Sequence, residues 1–209
     1  MINRFCEYLT KRIRKKMPDI DDENAEVILY GLQLMFGEVP KLFIMAGIAW
    51  VLGVFKLTMI CFALMLSYRM YSGGFHLKTH LGCIIGTSIM YTGNAFVSQM
   101  FEIPFAYKIC LSVFLWIFAI IMINKYAPAD TEDVPVISKK ERRKRKICSY
   151  VIVTIMLIVA CVIENSVISN ILLVGVFVQS ISITRFAYWV TRNRYGYEVY
   201  WKNKNVFDN

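Results

Sequence analysis

Residues 103–123 read IPFAYKICLSVFLWIFAIIMI, and Lys108 is the only charged residue among them. A helix of about 20 apolar residues crosses a hydrocarbon core about 30 Å thick, so this run is long enough to span a membrane. Further runs without any charged residue lie at residues 81–100, 147–163 and 165–184. A chain of 209 residues is too short to bury four such helices in a soluble core. The sequence therefore predicts an all-α, polytopic integral membrane protein.

The net charge of +9 is concentrated beside these apolar runs. Basic clusters lie within residues 4–16, 139–146 and 185–204. The positive-inside rule places such juxtamembrane clusters in the cytoplasm. This distribution indicates the lipid bilayer as a partner of the chain and argues against nucleic acid.

Cytoplasmic placement of all three clusters determines the expected topology. Residues 125–146 become a basic cytoplasmic loop, and the loop at 69–80 lies on the same side. Upstream, residues 42–55 and 57–68 predict a pair of short or partly re-entrant helices, with Lys56 toward the outer face. We expect about six membrane segments, with both termini in the cytoplasm.

The N-terminal region, residues 1–37, is expected to lie at the cytoplasmic face. Its first part mixes basic residues with Phe5, Tyr8 and Leu9, which is typical of an amphipathic helix on a membrane surface. The apolar stretch 27–37 is only 11 residues long, and cytoplasmic placement of both Lys16 and Lys41 excludes a single crossing. Residues 21–37 therefore predict a second amphipathic helix at the inner leaflet. The whole chain, 1–209, is expected to form a single membrane-embedded domain.

Both histidines of the chain lie in one short loop, SGGFHLKTHLGC, residues 72–83. A nucleophilic cysteine reacts as the thiolate, which a neighbouring histidine or positive charge favours. Cys83 lies in the first turn of the run at 81–100 and shares the loop with His76 and His80. Cys83 is therefore the candidate nucleophile, and the alternative is a small residue that only starts a helix.

Spacing alone leaves both histidines as candidates for the general base. A continuous helix over residues 76–83 would bring His80 beside Cys83 at i,i+3. A loop that folds back would bring His76 there instead. The glycine pair at 73–74 favours a turn at the start of the loop, but the choice stays open on spacing.

The spacing of His76, His80 and Cys83 also fits three zinc ligands. A zinc hydrolase needs a general base as well, and Glu38 is the only carboxylate in residues 38–101. We therefore expect neither a metal nor another cofactor.

Two segments resemble motifs of the AgrB family, the membrane-embedded cysteine endopeptidases of Gram-positive peptide quorum sensing. Residues 68–83, YRMYSGGFHLKTHLGC, are similar to a signature of an arginine, then Gly-Gly-x-His, then a cysteine seven residues after the histidine. The residues that match it in order and spacing are Arg69, Gly73, Gly74, His76 and Cys83. Residues 125–146, KYAPADTEDVPVISKKERRKRK, resemble the family's Ala-Pro-x-Asp-Thr segment and basic loop. The resemblance covers nearly the whole chain.

The resemblance implies a catalytic dyad of His76 and Cys83, with His80 as an accessory or interfacial residue. Arg69 matches a position that the family needs for activity, and pairing with a substrate carboxylate and contact with lipid headgroups are equal alternatives for it. Pro128, Asp130 and Thr131 are expected to form a turn after the fourth span, and the alternative is that they orient the histidine or contact substrate.

The resemblance further implies an endopeptidase that cleaves the C-terminal tail from an AgrD-type autoinducing-peptide precursor. The cut would proceed through an acyl-enzyme on cysteine and allow thiolactone cyclisation.

The expected partners are this precursor, with its acidic C-terminal tail, the lipid bilayer and a second copy in a homodimer. The expected location is the cell membrane, with the active site at the cytoplasmic face. The alternative is a non-enzymatic membrane transporter or sensor subunit, which the lack of carboxylates near the centres of the long apolar runs disfavours.

Overall fold

The structure, a computed structural model, describes residues 2–17, 21–77, 79–132 and 135–207. Its helices are α1 (Ile2–Lys16), α2 (Asp22–Val51), α3 (Phe55–Ser72), α4 (His80–Ser88), α5 (Asn94–Ser98), α6 (Phe105–Tyr126), α7 (Lys139–Val162), α8 (Ser166–Ser182), α9 (Arg185–Val190) and α10 (Gly196–Phe207). A π-helical turn, Ile89–Gly93, joins α4 to α5 without a break. The described residues contain isolated β-bridges but no strand, so the predicted all-α class is confirmed.

Two helices in the described part of the chain, α6 and α7, are long and apolar enough to cross a membrane. The apolar helix α8 is shorter, at 17 residues. The outer faces of α6 and α7 expose apolar side chains such as Phe114, Ile117, Ile155 and Ile158. An apolar surface of this extent is typical of a membrane protein, because it is favourable in lipid and promotes aggregation in water. The six membrane segments and the cytoplasmic termini stay predictions.

One prediction about the first half of the chain is wrong. Residues 22–51 form the single helix α2 rather than a surface helix over 21–37 followed by a short helix over 42–55. Lys41, which the prediction placed in the cytoplasm between the two, is buried inside the fold. Because tertiary packing covers this lysine, the helix continues through it and ends before a turn at Gly53, where φ is 72°.

The basic loop expected at residues 125–146 is also shorter than predicted. Ser138 caps α7, its Oγ accepting from the backbone N–H of Glu141 at 3.4 Å. A serine cap followed three residues later by glutamate is a common helix start. The basic residues 139–146 are therefore the first two turns of α7, and only 127–138 link it to α6.

Helix α1 has one packed face and one basic face, as an amphipathic helix requires. Its Cys6 is fully buried, and the ring of Phe5 meets Phe36 of α2 edge-on, with ring centres 5.2 Å apart. Lys11 and Arg12 are exposed on the other side. The N-terminal helix is thus held against the N-terminal half of α2.

Helix α8 lies at the centre of the core and packs against α3, α5, α6 and α7. At Gly175 it lies close against α3, because an added Cβ there would lie 2.2 Å from Sδ of Met65. This close packing brings the C-terminal end of α3 against Gln179 and Ser182 of α8. The loop that contains His76 begins at that point.

Candidate active site

Cys83 lies in the first turn of α4, where the apolar run predicted it. Thr79 has extended backbone and caps the helix, its Oγ1 accepting from the N–H of Gly82 at 3.1 Å. The Thr79 carbonyl accepts from the N–H of Cys83 at 2.9 Å. Because the N-terminus of a helix carries a partial positive charge, this position favours an anionic sulfur.

The segment before α4 is not helical. Residues 73–77 are irregular, and α4 begins at His80, so the continuous helix over 76–83 does not form. His80 and Cys83 nevertheless keep the i,i+3 spacing within α4. The side chain of His80 lies outside what the structure describes. The zinc alternative, which needs that side chain, therefore stays untested.

His76 and Cys83 line the same cavity, which has a volume of about 250 Å³. The other side chains in its lining are mostly apolar and include Phe62, Leu66 and Phe75. His76 is exposed and Cys83 is half-buried. The fold thus brings the two residues of the expected dyad to one small, mostly apolar pocket.

Arg69 holds the loop from inside the fold. Its guanidinium donates from Nη2 to the carbonyl of Phe75 at 2.9 Å and from Nη1 to Oε1 of Gln179 at 3.3 Å. Gln179 in turn donates to the carbonyl of Gly73 at 2.8 Å. The two side chains fix both ends of the segment that precedes His76. Arg69 therefore supports the loop. Its two expected roles, pairing with a substrate carboxylate and contact with lipid headgroups, stay predictions.

The glycine pair is required by a close backbone contact. Gly73 has φ of 75° and forms a parallel bridge with Ala129, and a Cβ on it would lie 2.2 Å from the Ala129 carbonyl oxygen. Gly74 has φ of 144° and donates its N–H to the same carbonyl at 2.9 Å. Glycine alone adopts such φ values without strain. The contact docks the loop onto the segment 127–131.

Asp130 is the centre of that segment. Its Oδ2 accepts from the backbone N–H groups of Val136 at 2.9 Å and Tyr197 at 3.0 Å, and it lies 3.1 Å from Nη1 of Arg142. Arg142 also lies over the ring of Tyr197, 4.3 Å from its centre. The carboxylate therefore ties the start of α7 and the start of α10 to one point. Asp130 does not line the cavity. It supports the site by holding the segment 127–131, on which the loop docks, rather than by orienting His76.

The chain after α8 also holds the segment 127–131 and the loop at His76. The hydroxyl of Tyr188 donates to the carbonyls of Ala129 at 2.8 Å and Asp130 at 3.2 Å. Burial raises the pKa of Tyr188 above its ordinary value, so the hydroxyl keeps the proton that these bonds need. Asn193 donates to the carbonyl of His76 at 2.6 Å. No local sequence signal indicates Gln179 or Asn193, because both act on the loop from more than 100 residues away.

Lys41 is a further residue that the sequence analysis missed. It lines the cavity from α2, and its Nζ donates to Sγ of Cys83 at 3.4 Å. A lysine directly after Pro40 in an otherwise apolar stretch was the available signal. The positive-inside rule uses this lysine only as a marker of topology.

The profile of the family described as Accessory gene regulator B matches residues 5–183 of the chain. A protein named "Putative AgrB-like protein" from Listeria innocua is 32% identical over 201 residues, which cover 94% of each chain. A protein of the same name from Listeria monocytogenes serotype 4a is 31% identical with the same coverage. The Accessory gene regulator protein B of Staphylococcus aureus is 26% identical over 187 residues, 90% of this chain and 94% of the relative. No solved structure matches the chain. The matched region contains the cavity and the segment that docks its loop, and the chain belongs to the AgrB family.

Proposed function

We propose that this protein is a cysteine endopeptidase that removes the C-terminal tail from an AgrD-type autoinducing-peptide precursor. Membership of the AgrB family implies an accessory gene regulator function in quorum sensing. The observation that supports the peptidase activity is the cavity that His76 and Cys83 line together. A cysteine nucleophile with a histidine base needs this proximity.

In the proposed reaction His76 takes the proton of the Cys83 thiol, and the thiolate attacks the carbonyl carbon at the junction of peptide core and tail. The new C–S bond forms as the carbonyl electron pair moves onto oxygen. When the carbonyl re-forms, the C–N bond breaks, and the leaving nitrogen takes the proton from His76. The tail departs with a new amino terminus, and the core stays on Cys83 as a thioester.

A cysteine of the bound core then releases the product. Its thiol gives a proton to His76 and attacks the thioester carbon, and Cys83 leaves as a thiolate and regains that proton. One thioester replaces another, so the step depends on positioning and on exclusion of water more than on bond energy. The apolar side chains in the cavity, among them Phe62 and Leu66, favour cyclisation over hydrolysis because they limit the water near Cys83.

Positive charge beside the cavity supports an acidic tail as part of the substrate. Asn193 contacts the loop at His76, and its neighbours Arg192 and Arg194 are exposed. Basic residues near a site raise the local concentration of an acidic segment. We place this face of the protein in the cytoplasm, where the positive-inside rule puts its basic residues.

The proposal is tested with the purified protein in liposomes and a precursor that carries a leader, a cysteine-containing core and an acidic tail. Cys83→Ala should abolish cleavage, because the proposed reaction forms its thioester on Cys83. Cys148→Ala is the matched control, a half-buried cysteine on α7, and should cleave at the parental rate. Cleavage by Cys83→Ala would refute the proposal.

The same assay separates the thiol mechanism from the zinc alternative. Alkylation of the thiols should block cleavage, and a strong chelator should leave it unchanged, since no step uses a metal. Loss of cleavage in chelator, with recovery on added zinc, would favour the metal site.

A further inference from the structure

Lys41 lies in the middle of α2, and only 7% of its surface is exposed. Burial of an ammonium group is costly unless hydrogen bonds and opposite charge compensate for the lost water. Its Nζ donates to Sγ of Cys83, 42 residues along the chain, at 3.4 Å. The packing of α2 against α4 therefore places a buried positive charge in direct contact with the proposed nucleophile.

The apolar lining of the cavity makes this contact important for the chemistry of Cys83. A thiolate formed there is poorly hydrated and needs a positive neighbour. Arg69 also lines the cavity, but its guanidinium donates to Phe75, Gln179 and Met90. Among the residues that the structure describes, Lys41 is the cation that donates to the sulfur itself.

We propose that Lys41 is a third catalytic residue, whose ammonium stabilises the thiolate of Cys83. Lys41 gains and loses no proton. The thiol proton passes to His76, and the negative charge left on sulfur is balanced by the ammonium. The same pair re-forms when Cys83 leaves the thioester. The part that Lys41 plays in cleavage rests on the proposed peptidase function, whereas the pair itself exists without substrate.

The test compares Lys41→Met, which keeps the length of the side chain and removes its charge, with Lys41→Arg, which keeps the charge. Lys108→Met is the matched control, because Lys108 is a lysine of equal exposure on α6. The rate at which iodoacetamide alkylates Cys83 is followed by peptide mapping at pH 7 and at about pH 10.5, where an unassisted thiol is already ionised.

At pH 7 alkylation of Cys83 should be roughly tenfold slower in Lys41→Met than in the parent, because a nearby cation raises the thiolate fraction of a cysteine. It should be within about threefold of the parent in Lys41→Arg and unchanged in Lys108→Met. At about pH 10.5 the rates of parent and Lys41→Met should converge. That convergence separates a charge effect from a misfolded site.

Equal rates for parent and Lys41→Met at pH 7 would overturn the inference. A deficit as large at the higher pH as at pH 7 would overturn it too, since access to the sulfur rather than charge would then be the cause. Alkylation needs no precursor, so the outcome is independent of the peptidase assay. If the alkylation pattern holds but neither the parent nor any variant cleaves the precursor, the pair of Lys41 and Cys83 stands and the peptidase proposal fails.

Discussion

At the residue scale, the two histidines differ in backbone conformation. His76 follows a segment that Arg69 and Gln179 hold in an irregular conformation, and it lines the cavity with Cys83. His80 is the first residue of α4. The cavity that His76 and Cys83 share therefore supports His76 as the general base of the proposed reaction.

His76→Ala should lower the cleavage rate by roughly 10²–10⁴, the usual contribution of general acid–base catalysis. His80→Ala should keep a sizeable fraction of the parental rate. The measurement is cleavage of the precursor in liposomes by each variant. Severe loss in His80→Ala together with mild loss in His76→Ala would contradict the dyad.

Gly73→Ala should disrupt the loop, because the new Cβ would lie 2.2 Å from the Ala129 carbonyl oxygen and φ is 75°. Strain of this kind costs on the order of 1–3 kcal/mol before the clash is counted. We expect a lower midpoint of thermal unfolding in detergent and loss of cleavage. Gly47→Ala is the control, since a Cβ there meets nothing within 4 Å and alanine favours helix. Normal unfolding and cleavage in Gly73→Ala would show that the contact with Ala129 is dispensable.

The dyad of Cys83 and His76 was predictable because residues 68–83 resemble the family's signature, and its catalytic role stays a prediction. The sequence could not identify the contact of Lys41 with Cys83. That contact depends on the packing of α2 against α4, which no local pattern encodes.

At the scale of elements, the segment 127–131 connects the loop before α4 to the residues that begin α10. It bridges to Gly73 on one side and to Tyr195 on the other. Its Asp130 ties the starts of α7 and α10 together through Arg142 and Tyr197. The position of the loop at His76 thus depends on helices that do not line the cavity.

Asp130→Ala should destabilise the fold by about 3–5 kcal/mol, the usual cost of removing one partner of a buried ion pair. The side chain of Asp130 is 1% exposed and that of Arg142 is 21% exposed, so solvent screens the pair little. Limited proteolysis should then cut within residues 191–207, and cleavage of the precursor should fall with it. Glu141→Gln removes only the exposed pair with Arg145 and should change stability by less than about 1 kcal/mol. Parental protease resistance in Asp130→Ala would contradict this account of the segment.

The helices were predictable where apolar length alone determines them. The run at 103–123 became α6, and the run at 165–184 became α8, each within a few residues. The helix α2 was not predictable, because its continuity depends on the burial of Lys41 by a distant element. The first turns of α7 were missed for a simpler reason: a dense basic cluster was interpreted as a loop, although Ser138 and Glu141 form a helix start.

At the scale of the whole molecule, the expected orientation is open to direct test. Arg143→Cys on α7 and Lys56→Cys on α3 both introduce an exposed thiol. In intact cells an impermeant maleimide should label the thiol at position 56 and should leave the one at 143 unlabelled until the membrane is opened. Labelling of position 143 from outside would invert the topology and place the cavity in the wrong compartment for a cytoplasmic precursor.

The most direct test of the central claim is capture of the acyl-enzyme. The precursor is incubated with the protein in liposomes, with the cysteine of the peptide core changed to alanine so that cyclisation cannot release it. After a quench in acid, mass spectrometry of the intact protein should show an added mass equal to the leader and core without the tail. Peptide mapping should place that mass on Cys83, and hydroxylamine should remove it, as expected for a thioester. Release of the tail with no adduct on Cys83 at any time, or an adduct on another cysteine, would contradict the account.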